Sequence, residues 1–180
     1  MAMHALRNRV IKISLALLLA VLSVQRANAK VNPPHLAFLG LRFMNDNENL
    51  EPTTTQERTR IAHTEKQFIW TVANSGAYRI TPLTGAVRRK IADGQPIGHC
   101  GGCEAAYGKE LHADRVAWMT VQKVSNLILN MNLYVADPQT DKFTFIKSVD
   151  IRDNTDESWS RSLNYLLKNY FLPKGQPNSG

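Results

Sequence analysis

The spacing of apolar and polar positions divides this chain into a short series of elements. Leu36 to Phe43 is a nearly continuous apolar run, bounded by Pro34 and by a polar, turn-rich loop from Asn45 to Pro52. An apolar run this short, closed by turn residues, predicts a strand buried on both faces. A helix is predicted from Thr54 or Thr55, with Ile61, Phe68, Ile69 and Val72 on one side and an end before Gly76. Tyr78 to Thr81 reads as a second short strand, so strand, helix and strand form a right-handed parallel crossover unit. A shorter helix is predicted over Leu83 to Ala92, ended by Asp93-Gly94, and another from Cys103 to Leu111 after a glycine-rich loop.

The second half of the chain reads more sharply. Asp114 to Val124, Asn126 to Ala136 and Lys142 to Ile151 are strand-like runs with short connections, which predicts an antiparallel meander. Asp137-Pro-Gln-Thr-Asp141 supplies a turn with proline in its second position. In the middle run Leu127, Leu129, Met131, Leu133 and Val135 alternate with Ile128, Asn130, Asn132 and Tyr134, giving one core face and one wetter face. A closing helix is predicted from Asp156 to Leu172, with Asn154 as N-cap and Glu157 completing a capping box. Trp159, Leu163, Leu166, Leu167 and Tyr170 form its apolar stripe, and Pro173 ends it. The sum is a single-domain α/β sandwich: a mixed sheet of about five strands, in the order β-α-β-α-α-β-β-β-α, with helices packed on it.

The first 29 residues set the expected compartment. Arg7, Arg9 and Lys12 precede an apolar stretch from Ile13 to Val24, and Ala27-Asn28-Ala29 closes it. This is the layout of a secretory signal peptide cut between Ala29 and Lys30, too short and wrongly flanked for a membrane span. No cysteine follows the cut, so no lipid anchor is expected there. The expected organisation is a signal peptide over 1–29, one domain over 30–173 and a flexible tail over 174–180, located in the periplasm or secreted.

The leader also distorts the charge. The chain of 180 residues carries a formal net charge of +7, but Arg7, Arg9, Lys12 and Arg26 belong to the leader, which holds no acid. Past the leader 18 basic residues face 15 acidic ones, and the single basic run is Arg88-Arg89-Lys90. That balance argues against nucleic-acid binding and against stable membrane insertion after cleavage.

The two cysteines, Cys100 and Cys103, stand in His99-Cys-Gly-Gly-Cys-Glu104 at a predicted helix start. In an oxidising compartment a close pair is expected to be bridged. The first reading is a structural disulfide that clasps the loop to the next helix. A helix N-terminus also activates thiols, which leaves open a thiol–disulfide or redox-sensing role. Against it, the pair follows two strands and two helices, and no aromatic residue precedes it. Metal binding through Cys100 and Cys103 with His99 or His112 lacks the paired ligand spacings of structural zinc, and Glu104 stands where c-type haem attachment needs a histidine. No cofactor and no metal are therefore expected.

Catalytic motifs are missing from the sequence: it has no G-x-S-x-G, P-loop, G-x-G-x-x-G or H-E-x-x-H. His35, His63, His99 and His112 are scattered. Asp150, Asp153 and Asp156 read as strand end and helix cap, and Asp46, Glu48 and Glu51 as a solvated turn. No acid–base pair emerges, so no enzyme is expected. Alternation along the meander instead places Asn130, Asn132, Tyr134, Thr144 and Ser148 on the less buried sheet face, as a candidate partner surface.

Several motifs resemble a known family. Cys100-Gly-Gly-Cys-Glu104, Ala113-Asp114, Gln122 to Leu129 and Asp150 to Trp159 are similar to a bacterial secreted family catalogued as a domain of unknown function, the 2380 type. More loosely, Leu111-His-Ala-Asp114 and the Asp137 to Asp141 turn resemble the TolB amino-terminal-domain-like envelope modules, which generally lack the cysteine pair. The resemblance implies an exported, non-enzymatic accessory or interaction module that binds other envelope proteins. It also implies, as a further alternative, an accessory of a periplasmic quinoprotein dehydrogenase system.

Overall fold

The structure, a computed structural model, describes residues 32–173; the signal-peptide reading with its cut at Ala29 and Lys30 and the tail over 174–180 lie outside the described residues. Five strands and four helices follow in the order β1 (His35–Asn45), α1 (Thr55–Asn74), β2 (Arg79–Thr81), α2 (Gly85–Asp93), α3 (Cys103–Glu110), β3 (Arg115–Lys123), β4 (Ile128–Asp137), β5 (Lys142–Arg152) and α4 (Asp156–Leu166). A π-helical turn, Leu167–Phe171, extends α4. The strands form one sheet in the order β2-β1-β3-β4-β5. Pairing is parallel from β2 through β1 to β3 and antiparallel through β4 and β5. The mixed five-stranded sheet and the order of elements agree with the sequence reading.

The sheet has two unequal cores. On one face Leu36 and Phe38 of β1, Met119 and Val121 of β3, and Leu129 to Val135 of β4 pack against Phe68 and Val72 of α1 and Trp159, Leu163 and Leu166 of α4. On the other, Ala37, Leu39, Val116 and Trp118 meet Val87 of α2 and Tyr107 and Leu111 of the α3 region. This second core stops at Leu39 and Trp118, so the expectation that β1 is buried on both faces holds only for Leu36 to Leu39. From Gly40 onward β1 is half-buried, because no helix among the described residues covers its second face there.

Three local expectations change. Ile69 in α1 is 39% exposed, and Leu127, which precedes β4, is 72% exposed, so neither enters the core. The N-cap of α4 is Thr155, whose hydroxyl accepts from the Ser158 backbone N–H, while Glu157 pairs with Arg161. The Asn154 side chain is turned inward instead, as described below. Finally, the Leu172 N–H bonds back five residues to the Leu167 carbonyl, which inserts a residue into the stripe. Phe171 rather than Tyr170 then faces the core, where it packs on Tyr78 and Phe145 at 5.2 Å each.

A buried carboxylate ties these layers together. Thr54 and Glu57 form a capping box at the start of α1, with Glu57 Oε2 accepting from Thr54 N–H at 2.7 Å. The other oxygen accepts from Lys123 Nζ at 2.9 Å and from Asn154 Nδ2 at 2.7 Å. Glu57 and Lys123 are only 1% and 2% exposed. Asn154 in turn accepts from Trp159 Nε1 at 3.0 Å and donates to Asn126 Oδ1 at 3.2 Å. One side chain therefore fixes the start of α1, the end of β3, the β3–β4 turn and the start of α4.

Burial pushes the Glu57 carboxyl up, but hydrogen bonds from Thr54, Lys123 and Asn154 outweigh it and hold the group at about 2, below its ordinary 4.5. Its contribution to stability is complete above pH 4.5 and is lost as pH falls from there toward 2. Glu57→Gln is expected to cost about 3 kcal/mol at neutral pH, because it leaves the buried Lys123 with only the exposed Glu51 carboxylate, 3.6 Å away, as counter-charge. Denaturant melts should show that deficit shrinking as the pH approaches 2; a pH-independent deficit would contradict the ion-pair account.

Candidate functional site

Beyond the second core, four strands present an uncovered stretch of sheet. Pairing places Arg42 opposite Thr120, Thr120 opposite Asn132, and Asn132 opposite Ser148. The next row is Met44, Gln122, Asn130 and Asp150. Period-2 geometry sends all of these to one face. Their polar groups satisfy one another across the strands. Asn132 Nδ2 donates to Thr120 Oγ1 at 3.1 Å, and Ser148 Oγ stands 2.7 Å from both Asn132 Oδ1 and Asn130 Oδ1. Asn130 Nδ2 reaches Asp150 at 3.4 Å. Arg42 Nη1 is buried with no hydrogen-bond partner among the described residues.

Tyr134 stands at the covered end of this ladder. Its ring stacks on Trp118 at 5.4 Å, and Phe143 closes the group at 5.6 Å from Trp118 and 6.2 Å from Tyr134. The structure thus brings Asn130, Asn132, Tyr134 and Ser148 together. Thr144 stands apart, because the register of β4 and β5 shifts between Val135 and Ala136. The resulting bulge turns the Thr144 hydroxyl onto the Val135 carbonyl and gives Phe143 the place on the face. Sequence alternation could not see this shift, and so missed Phe143. It also passed over Ile146, which pairs with Tyr134. Both are more than half exposed, at 55% and 56%. Ile128, opposite Arg152, adds an exposed apolar group at the other end of the ladder.

The cysteine loop borders this face. Cys100 and Cys103 are joined in a disulfide, and α3 starts at Cys103. Gly101 and Gly102 both take left-handed backbone conformations, with φ of +66° and +106°, which suits the glycines between the cysteines. Gly98 runs so close to Trp118 that an added Cβ would lie 3.4 Å from its Nε1. Glu104 is buried and accepts from the Gly98 N–H. The clasp therefore bears directly on the aromatic group of the open face.

The acidic residues singled out in the sequence serve local structure. Asp156 pairs with Arg60 at 2.7 Å, and Asp150 reaches Asn130. Asp153 holds a left-handed turn position, with φ of +73°. Glu48 accepts from the Thr53 hydroxyl and N–H, which hold its carboxyl below the usual range. Glu51 stands 3.6 Å from Lys123, and Asp46 accepts from Gln122 at 2.9 Å. His35 stands 3.4 Å from the Thr81 hydroxyl, far along the chain from the cysteine loop.

A separate cleft of about 340 Å³ opens beside the middle of β1, where β2 ends, between Glu65, Gly40, Ile80, Leu83 and Arg88. Glu65 Oε1 accepts from the Leu41 N–H at 2.7 Å. Gly40 has φ of +120°, and a Cβ there would stand 3.1 Å from the same oxygen, so the approach requires glycine. Burial pushes the Glu65 carboxyl up, and the Leu41 bond only partly offsets it.

Comparison with known proteins gives a family and several distant folds. A family model described as "Protein of unknown function (DUF2380)" matches residues 34–171. No curated protein sequence matches. Among solved structures, the C-terminal domain of LpoB from Salmonella enterica is similar at 10% identity, covering 74% of this chain and 93% of that one, with a TM-score of 0.45. Lipoprotein GNA1162 from Neisseria meningitidis is similar at 12% identity, covering 69% and 84%, with a TM-score of 0.48. TolB from Acinetobacter baumannii is similar at 12% identity, covering 78% of this chain and 29% of its own, with a TM-score of 0.43.

A raised carboxyl pKa means that folding disfavours the charged Glu65, a penalty that develops as pH rises above the ordinary 4.5. Glu65→Gln keeps an acceptor for the Leu41 N–H without the charge. Its stability relative to wild type is expected to be higher at pH 7 than at pH 4. Urea midpoints at both values test this, and an unchanged or reversed difference would refute it.

Proposed function

The chain belongs to this family of proteins of unknown function, its model matching residues 34–171, and on that footing we propose that it is an exported, non-catalytic binding module of the bacterial envelope. Its docking surface is the uncovered stretch of sheet, and its occupant is the folded surface of another envelope protein. One observation carries the reading: Phe143 and Ile146 stand exposed beside a ladder of mutually satisfied polar side chains. Exposed aromatic and aliphatic groups beside polar ones are the composition of a protein–protein contact. Such a surface gains from exclusion of water over the apolar groups and demands little of the polar groups, which already have partners.

Export is the second part of the proposal. It rests on the basic, apolar and A-x-A succession over 1–29. The Cys100–Cys103 disulfide is in keeping with an oxidising compartment. In this setting the disulfide acts as a clasp that holds Gly98 against Trp118 and so keeps one end of the docking surface rigid.

Changing Asn130→Lys together with Asn132→Lys puts two charges in the middle of the ladder. The pair is expected to abolish recovery of cross-linked envelope partners, at a cost of about 1 to 2 kcal/mol in stability. Circular dichroism should remain native. Lys66→Glu, on the exposed side of α1, serves as the control and should leave recovery intact. Unchanged recovery by the double variant would remove this face from the proposal.

A further inference from the structure

Glu104 is the unexplained group of the cysteine loop. The residue is only 7% exposed, and among the described residues its carboxylate's hydrogen bond is the one from the Gly98 N–H. None of the ion pairs among the described residues includes it. One oxygen is held by Gly98, and the other is not among the buried unpartnered atoms, which leaves it able to meet a ligand beside the sulfurs. A carboxylate oxygen of Glu104 and the Sγ atoms of Cys100 and Cys103 all lie within 4.8 Å of one another. His99 and His112 are not part of this group.

We propose that reduction of the Cys100–Cys103 bond converts this cluster into a zinc site made of two thiolates and the Glu104 carboxylate, with a fourth position open. The donor set suits a borderline-soft cation that takes sulfur and carboxylate ligands together. The sulfurs must part from bonding distance to about 3.8 Å, the spacing of neighbouring ligands in a tetrahedron of Zn–S bonds near 2.3 Å. The loop allows it. Gly101 and Gly102 carry no side chains, and nothing lies within 4 Å of where a Cβ would stand on either. The Gly98 N–H on one Glu104 oxygen provides the outer hydrogen bond that orients a ligating carboxylate. Three anionic ligands leave the loaded site with one net negative charge.

The chemistry balances with a small dithiol as reductant. Two electrons and two protons pass to the sulfurs, the S–S bond breaks, and the dithiol leaves as its own cyclic disulfide. Zinc then displaces the two thiol protons to solvent. The inference is independent of the docking surface, since its test involves no partner protein.

The test titrates the full chain, reduced with a small dithiol and desalted without oxygen, with Zn²⁺ against a chromogenic chelator. Co²⁺ replaces zinc in a parallel series as the spectroscopic probe. The expected result is one equivalent bound per chain, a sulfur-to-cobalt charge-transfer band, and no such binding by the oxidised protein. Glu104→Gln retains the acceptor for Gly98 and is expected to weaken binding by at least about tenfold. Cys100→Ser with Cys103→Ser should abolish it. Equal affinity in wild type and Glu104→Gln would overturn the assignment. So would a loss on His99→Ala as large as that on Glu104→Gln, or a reduced chain that no longer holds its fold by circular dichroism.

Discussion

The fold depends on a charged side chain placed where charge is least welcome. Glu57 sits at the first turn of α1, and its two oxygens accept from Thr54, Lys123 and Asn154. The cost of withdrawing the carboxylate from water is met by donors from three separate parts of the chain, so those parts must be in place together. Lys123 is the last residue of β3 and lies on the core-facing row with Ala117, Met119 and Val121. Its position there would be untenable without Glu57. The register of the meander and the placement of the two long helices are thus coupled through one ion pair, whereas the apolar contacts around it tolerate small shifts.

Periodicity made the elements legible because most of them carry one clean repeat. The stripe of Trp159, Leu163 and Leu166 identified α4, and the alternation from Leu129 to Val135 identified the central strand of the meander. What escaped were features in which one residue breaks the repeat. The bulge in β5 exchanges Thr144 for Phe143, and the π-helical turn exchanges Tyr170 for Phe171; neither insertion leaves a mark in the pattern of residue types. The capping box of α1 was written plainly as Thr54-x-x-Glu57, yet the similar spacing at Asn154 and Glu157 drew the assignment instead. Thr155 wins that position because the Asn154 side chain is already committed to Glu57 and Trp159. Lys123 offered a further signal, a lysine on a row otherwise apolar.

The two faces of the sheet divide the work. One is closed along its length by α1 and α4 and supplies most of the buried apolar surface. The other is closed only over its first half, by α2, α3 and the cysteine loop, and then opens. Asn130, Asn132, Tyr134 and Ser148 were legible as members of the open half because antiparallel alternation survives there. Phe143, Ile146 and Arg42 were not, since their surroundings depend on strand neighbours far away in sequence.

The brevity of β2 has a consequence for the behaviour of the molecule in crowded solution. The His35 carbonyl and the Asp46 amide bond to residues of the β3 side, whereas the Leu41 amide is turned outward, to Glu65. Pairing with β2 ends at Ala37, and Pro82, which follows Thr81, has no N–H with which to prolong it. A bare strand margin of this kind invites a foreign backbone to add on and seed aggregates. Glu65 fills the place where an invading carbonyl would bind, and its negative charge makes displacement unfavourable. On the opposite margin Lys142, Lys147 and Arg152 punctuate β5 with positive charge. The sheet is thereby guarded at both borders against polymerising edge to edge.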